Sequence, residues 1–475
     1  MKLSLAFVIT VMLICVIPSA FAQEDPWDAA VAYLVGAGPF DVCCGDFDGI
    51  NGDDFAVACD GGDYVYVYLN NGDGTFTYSD YYNAYENPRS IVTADFDGVN
   101  GLDLALVTYN NNRMIVLFND GDGTFDDNTW NVSVGTDMRP QSIYAADFDG
   151  FNGPDIVTAN AGGSSVSVFF NIGDGTFASP VNFTTGTNPG HVIAADFGGS
   201  SHPDIAVTAV VPDSVEILIN NGDSTFQSPI QLPSASSPFG LDFADFDGVN
   251  GNDLVVGNIS IAGVSVYLND GAGSFAGPVT IPTLYYPRTM VCTDVDQDSN
   301  IDMVVSMFNY DSVSVLMGNG DGTFQAYENY AVGDGPFGIE DGDFDGDIYP
   351  DIAVANTNGN SVSILNSGAG SVDVDDDLGI LLPDEFKVRQ NFPNPFNPMT
   401  SIKYNIPARS HVTIEIYNIL GQKIRTLVDE KKSAGEYNAF WDGNNSNGNN
   451  VSAGVYFYRF RGGDYTETKK MLLLK

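Results

Sequence analysis

The stretch Asp95–Asp103, "DFDGVNGLD", constrains this chain of 475 residues more than any other, because the chain repeats it. Copies begin at Asp46, Asp95, Asp147, Asp196, Asp245, Asp294 and Asp343, at intervals of 49, 52, 49, 49, 49 and 49 residues. A proline stands seven residues before each copy: Pro39, Pro88, Pro140, Pro189, Pro238, Pro287 and Pro336. Seven copies at one period describe one supersecondary unit used seven times, each burying its apolar faces against its neighbours.

Within a unit the apolar runs are short. In the second, "RSIVTAD" leads into the acidic loop, "LALVTY" follows it, "MIVLFN" comes next, and the turn "DGDGTF" opens a fourth, more variable strand. Runs rich in Val, Ile and aromatics, punctuated by Gly, Asn and Asp, are strand and turn signals; helical periodicity is absent. Four strands in a unit of about 50 residues fit a propeller blade, so residues 23–371 are expected to form a seven-bladed β-propeller. The last repeat stops near Ser371 without a "GTF" strand, while "AAVAYLVGAGPF" (Ala29–Phe40) resembles "AYENYAVGDGPF" (Ala326–Phe337). The N-terminal strand is therefore expected to complete the last blade and leave no free edge.

Residues 372–385 contain "VDVDDD", lack strand alternation and read as an acidic linker. From 386 to 475, "TSIKYNIP", "HVTIEIYNILG", "EYNAFWDG" and "GVYFYRFRGG" alternate polar and apolar between glycine-rich turns. That is the pattern of a small Ig-like β-sandwich, and the whole chain is expected to be all-β. Charge divides at the same place. Between Gln23 and Leu382 stand four arginines, no lysine and 53 Asp or Glu; from Pro383 onward 13 Lys or Arg face nine acids. A body so acidic repels nucleic acid and anionic lipid, whose binding depends on basic contacts.

Residues 1–22 read as a signal peptide: Lys2, an apolar run from Leu3 to Ile17, then Ala20-Phe21-Ala22 before Gln23. The run is too short to span a bilayer, and the mature chain is expected to carry no transmembrane segment. Cys15 follows Ile14 rather than a small residue, so lipidation is not expected. Export permits disulfides, and Cys59 is expected within reach of Cys43 or Cys44 across neighbouring strands, with Cys292 unpaired.

Two loops have the full pattern D-x-D-x-D-x-x-x-D: Asp294, Asp296, Asp298 and Asp302, then Asp343, Asp345, Asp347 and Asp351. Hard oxygen ligands at positions 1, 3, 5 and 9 of a tight loop suit Ca²⁺. Two carboxylates about 4 Å apart repel by roughly 4 kcal/mol at an effective dielectric near 20, so such a loop needs a cation, a proton or separation. Four loops keep positions 1, 3 and 9 but lose the fifth: Asp46, Asp48 and Asp54; Asp95, Asp97 and Asp103; Asp147, Asp149 and Asp155; Asp245, Asp247 and Asp253. These are expected to hold the ion with water or a carbonyl in the missing place. The remaining copy has only Asp196 and Asp204 and is expected to have lost it. The same residues also favour Asx turns without any ion, and the "NGDGTF" turns read as plain hairpin turns on the same rim.

Acidic "DFDG…D" loops in seven units resemble the FG-GAP/VCBS repeats of integrin-α-type propellers. That resemblance implies structural Ca²⁺ between the first two strands of a blade, over about Asp25–Ser371. It leaves function open, because the fold serves adhesion proteins, lectins and some polysaccharide lyases. The segments "NFPNPFNPMTSIKYNIP", "VTIEIYNILGQKIRTLV" and "AGEYNAFWDGNNSNGNNVSAGVYFYRFRGGDYTETKKMLLLK" resemble the type A sorting domain of the type IX (Por) secretion system. That resemblance implies outer-membrane export through the type IX machinery, with the protein released or surface-attached.

The rim opposite the acidic loops is expected to hold all four propeller arginines. Arg89 and Arg288 follow the repeated proline, Arg139 precedes it, and Arg113 lies in "YNNNRM". Phe40, Tyr85, Tyr109, Phe239, Tyr285, Tyr286, Tyr310 and Phe337 share that rim. Arginine and aromatic residues are common binding anchors, so the rim is a candidate site for an anionic polysaccharide or an acidic protein segment. The alternative is that the arginines only offset nearby acids. Catalysis has little support: His191 and His202 are the propeller's only histidines, and no serine or cysteine sits in a nucleophile arrangement. The reading is a secreted, calcium-stabilised binding or adhesion module. The alternatives are a lyase-like, polysaccharide-active enzyme and a structural surface-layer protein.

Overall fold

The computed structural model of the chain describes residues 27–367 and 386–474, apart from 28, 127–129, 136–137, 199–200, 285, 348, 390, 392–393, 395, 397–399, 408–409, 433–434, 442, 447–450 and 464. The signal-peptide and linker expectations therefore lie outside the described residues. The strands divide into two compact units, Met1–Val372 and Asp373–Lys475.

The first unit is seven four-stranded antiparallel sheets. In the first blade the strands are Pro39–Gly45, Asp54–Cys59, Tyr64–Asn70 and Phe76–Asn83, and the next five repeat that order along the chain. Each first strand contains the repeated proline, as its first residue in every blade but the fourth (Thr187–Ala195), and packs against the first strands on either side. The last, Pro336–Gly342, packs against Pro39–Gly45, so the ring closes. The seventh sheet takes its outer strand from the N-terminus: Val31–Leu34 pairs antiparallel with Ser361–Leu365, Val31 opposite Ile364 and Leu34 opposite Ser361. The expected closure is what the strand order has.

Second strands such as Asp103–Thr108 and Asp351–Asn356 are buried along their whole length, because neighbouring blades cover both faces. That is why they read as unbroken apolar runs rather than alternating ones. Seven apolar layers result, one between each adjacent pair of blades.

Both phenylalanines of the repeat belong to these layers. The Phe after the first aspartate packs edge-to-face on the "GTF" Phe of the next blade: Phe47 on Phe125, Phe96 on Phe177, Phe148 on Phe226, Phe246 on Phe324, and across the closure Phe344 on Phe76. Such pairs contribute about 0.5–1.5 kcal/mol each beyond the area they bury. The seventh repeat lacks a "GTF", and the N-terminus supplies the substitute. Trp27 bridges Ser367 just as Phe125 bridges Asn119, and it packs in the layer that contains Val295.

The expected disulfide is not formed. Strand register sets Cys59 opposite Pro39, while Cys43 and Cys44 lie opposite Ala56 and Phe55. Cys43 faces the layer shared with blade two and Cys59 the layer shared with blade seven, so these two side chains point apart; Cys44 shares the layer of Cys59 but is paired with Phe55, four residues along the strand from it. All four described cysteines are free.

The second unit packs a three-stranded sheet (Lys387–Val388, Thr400–Ile406, Gly435–Trp441) with a four-stranded one in the order Lys423–Lys432, Ser410–Asn418, Gly454–Gly462, Tyr465–Leu473. Alternation in Ser410–Asn418 turns Val412, Ile414 and Ile416 into a core with Tyr404, Trp441, Tyr458 and Phe460. Asn391 donates its backbone N–H to the Tyr458 hydroxyl (3.0 Å), which itself donates to the Arg389 carbonyl (2.6 Å).

Candidate functional site

On one rim, each acidic loop is built around its ninth residue. Asp103 Oδ2 accepts the backbone N–H of Phe96 (2.9 Å), and Oδ1 that of Asn119 (2.9 Å). Asp54, Asp155, Asp204, Asp253, Asp302 and Asp351 repeat both bonds in their own blades. Asn119 then donates from its side chain to the Leu102 carbonyl (2.9 Å) and to the Phe47 carbonyl of the preceding blade (2.8 Å). Its Oδ1 accepts the Gly121 N–H (2.7 Å). Asn70, Asn171, Asn220 and Asn269 do the same. The asparagine before each "GDGTF" turn is thus a clamp between blades. Sequence reasoning missed it, although it falls 16 residues after the ninth aspartate in five repeats.

Around that frame one carboxylate oxygen each from Asp46, Asp48 and Asp54 lies within 4.8 Å of the others. Asp95, Asp97 and Asp103 converge in the same way, as do Asp147, Asp149 and Asp155; Asp245, Asp247 and Asp253; and Asp294, Asp296 and Asp302. Burial, with repulsion from the other carboxylates, pushes Asp54 and Asp155 up to about 7, and Asp103, Asp253 and Asp302 up to about 6. In the sixth loop Asp294 Oδ1 is buried without a hydrogen-bond partner. Clustered, poorly solvated carboxylate oxygens fit a hard divalent cation, and the orphaned oxygen lacks what such an ion supplies. Asp298 stands outside the converging set and accepts from the backbone and side chain of Asn300. In the seventh loop burial raises Asp343 and Asp345, Asp347 to about 6 and Asp351 to about 7. The fourth loop offers only Asp196 and Asp204: Asp196 Oδ1 accepts from Gly198 (3.0 Å) beside the structural Asp204.

At the other rim, the residue after each repeated proline faces the axial mouth. A cavity of about 250 Å³ there is lined by Phe40, Arg89, Gln141, Phe239, Arg288 and Phe337 from six inner strands, with Phe308 and Thr357. The seventh such residue is Gly190, where an added Cβ would meet the Phe239 ring at 3.1 Å. Arg89 lies 4.3 Å over Phe40 and 5.1 Å over Tyr109, and its guanidinium pairs with Asp60 at 3.1 Å. Arg288 lies 4.9, 5.1 and 5.8 Å over Phe308, Phe337 and Phe239. Among the described residues no carboxylate pairs with it, and burial pulls its pKa below the usual guanidinium value. The Nε–H groups of both arginines are buried without acceptors.

The other expected rim residues fall elsewhere. Arg113 begins a third strand, Arg139 precedes an inner strand at φ +48°, and Tyr286 is exposed at φ +67°; none lines the cavity. Tyr285 lies outside the described residues. Gln141, Phe308 and Thr357 were not foreseen, although Gln141 carried the signal of following a repeated proline.

Below the mouth the charge reverses. Asp41, Asp242 and Glu340 come from blades one, five and seven, and Glu340 is raised first by burial, then by repulsion from its neighbour Asp341 and from Asp41 and Asp242. Burial raises all three, Asp41 to about 6 and Asp242 to about 7. Glu340 meets solvent inside the channel yet has protein on every side, so its ionised form is poorly hydrated. Asp41 accepts from the Ile91 N–H (3.1 Å) and Asp242 from the Cys292 N–H (2.8 Å), bonds that tie adjacent blades. His191 is held neutral by burial, which lowers it to about 4, and it does not line the cavity.

Comparison with known proteins places the chain by fold. Residues 152–207 and 294–354 match the FG-GAP-like repeat, and residues 399–461 match the FlgD Ig-like domain. The chain therefore carries FG-GAP-like repeats in a seven-sheet propeller, followed by an Ig-like domain. No curated protein sequence matches it. Among solved structures it is similar to BBS1N in complex with ARL6DN, soaked with mercury (TM-score 0.53, 13% identity, 73% of this chain and 98% of that one). The same complex soaked with lead gives TM-score 0.52 at the same identity and coverage. An Agrocybe aegerita lectin structure, described as recognising non-reducing terminal N-acetylglucosamine, gives TM-score 0.47 and 20% identity over 62% of this chain and 80% of that one.

Proposed function

We propose that this protein is an extracellular, non-catalytic ligand-binding or adhesion module that engages an anionic ligand, a polysaccharide or an acidic surface protein, at the axial mouth. The observation that carries the reading is the pair of arginines held against four phenylalanine rings in a propeller otherwise dominated by acids. Desolvated guanidinium groups with unused donors are strong anchors for anions. The acidic loops take Ca²⁺ as a structural ion that relieves carboxylate repulsion near the blade junctions, the role FG-GAP repeats commonly give it. The N-terminal sequence and the resemblance of residues 386–475 to a type IX sorting domain support delivery outside the cell through that machinery. A lyase-like enzyme at the same mouth is disfavoured by the absence of a base among the cavity's lining residues. The test is a glycan array and a surface-protein pull-down with the full chain and the Arg89→Ala/Arg288→Ala variant. Binding that survives the double substitution unchanged would sink the reading.

A further inference from the structure

Resting on that reading, we infer that the axial cavity is an end-on site for a single acidic sugar residue at the terminus of a glycan, whose carboxylate is gripped by Arg288. Size comes first. About 250 Å³ is below the range of cavities that enclose drug-sized ligands, so the mouth admits one residue and not a chain segment. The carboxyl groups of Asp41, Asp242 and Glu340 beneath it offer an anion no positive partner, whereas the mouth offers two guanidinium groups. The anion is therefore held at the level of the arginines, with the rest of the glycan leaving outward.

The groups at the mouth fit a sugar acid. Three carbonyls there are already used: Phe337 accepts from Ser306 (2.7 Å) and from Thr289, Pro39 from Thr357 (2.8 Å), and Phe239 from Thr208 (3.0 Å). The arginine guanidinium groups donate, and the Gln141 amide both donates and accepts. A sugar acid brings a carboxylate for the arginines, hydroxyls that can donate to and accept from Gln141, and C–H faces that lie on phenylalanine rings. The two arginines divide the work. Among the described residues Arg288 has no carboxylate partner, which makes it the primary anchor, whereas Arg89 is half-committed to Asp60.

The experiment is calorimetric titration of the full chain with glucuronic acid, a glucuronate-terminated disaccharide, its carboxyl-reduced counterpart, a sulfated counterpart and a uronate polymer. The terminal uronate is expected to bind, and carboxyl reduction to weaken it by about 10- to 100-fold, the loss of a charged hydrogen bond. Arg288→Ala should weaken it equally. Arg288→Lys keeps the charge but loses the planar fork and should not restore binding. Asp60→Asn, which frees Arg89, should tighten it. Equal binding of the carboxyl-reduced sugar, preference for the sulfated one, or no change in the Arg288 variants overturns the inference. Binding of polymer interiors that still depends on Arg89 and Arg288 overturns the end-on inference and leaves the anionic-ligand function standing. Loss of neither polymer nor terminal binding in the double variant defeats both.

Discussion

At the scale of single residues, the acidic loop serves two functions in one motif, and the ninth aspartate belongs to the frame before it belongs to any ion. Its two oxygens accept two backbone N–H groups, so neither can be replaced by a donor without opposing one of them. Blade four separates the two roles, because Asp204 keeps both bonds (2.9 Å to Phe197, 2.7 Å to Asn220) in a loop whose only other aspartate is Asp196. Asp204→Asn is expected to cost about 1–3 kcal/mol, the penalty of one unsatisfied buried group, and to cost the same in calcium and in EDTA. Asp97→Asn should be nearly silent in EDTA and destabilise only with calcium present, since the hydrogen bond it accepts, from the Val99 N–H (2.8 Å), is exposed. Thermal melts of both variants in both buffers check this. The convergence of positions 1, 3 and 9 in five loops was legible in the spacing of the aspartates. The bonds that Asn119 and its equivalents make were not, because their acceptor carbonyls lie in the preceding blade and no local pattern points there.

At the scale of elements, the propeller's period and strand order were readable because the second strands are covered on both faces and most of the turns carry Gly or Asn. Closure was readable from two similar segments at opposite ends of the chain. What the segments did not disclose is that Trp27, upstream of the closing strand, occupies the place of the missing "GTF" phenylalanine. It is 4% exposed, its Nε1 donates to the Pro350 carbonyl (3.3 Å), and its ring meets Tyr330 edge-on at 5.2 Å. Trp27→Ala is expected to cost about 3–5 kcal/mol, as deletion of a buried Trp does. Removal of residues 23–35 should do more, because it bares the Ser361–Leu365 edge for pairing with another chain. Light scattering during a thermal melt is expected to report aggregation for the truncation and a shifted but clean transition for Trp27→Ala. Equal melting of Trp27→Ala and the parent would remove Trp27 from the closure. The failed disulfide belongs to this scale too: proximity in sequence suggested it, and register and facing, set by the pairing of whole strands, forbid it.

At the scale of the whole molecule, charge is arranged along the axis. Acids crowd one rim and lie beneath the other mouth, which holds Arg89, paired with Asp60, and Arg288 inside an aromatic shell. The sequence located Arg89 and Arg288 there because they follow the repeated proline. It could not exclude Arg113 and Arg139, since which loops reach the axis depends on how the blades tilt. The buried carboxylates also dictate how stability responds to pH. Asp54, Asp155, Asp242 and Asp351 rise to about 7 in the fold from an ordinary value near 3.8, so between those limits the folded chain binds more protons than the unfolded one. Stability linked to these groups is complete below the unfolded value and is lost as pH rises through the folded one. In EDTA the melting temperature is therefore expected to climb as pH falls from 8 to 5. A bound cation reverses the sign for the loop carboxylates, because it holds them ionised and protons must displace it. With millimolar calcium the melting temperature should be higher at pH 8 and fall on acidification, and the two curves should converge toward pH 5. Differential scanning calorimetry across that range decides the matter. A chelated protein that loses stability on acidification would mean that its carboxylates are hydrated or paired well enough to need no ion. The calcium-dependent curve would then have no charge repulsion to relieve.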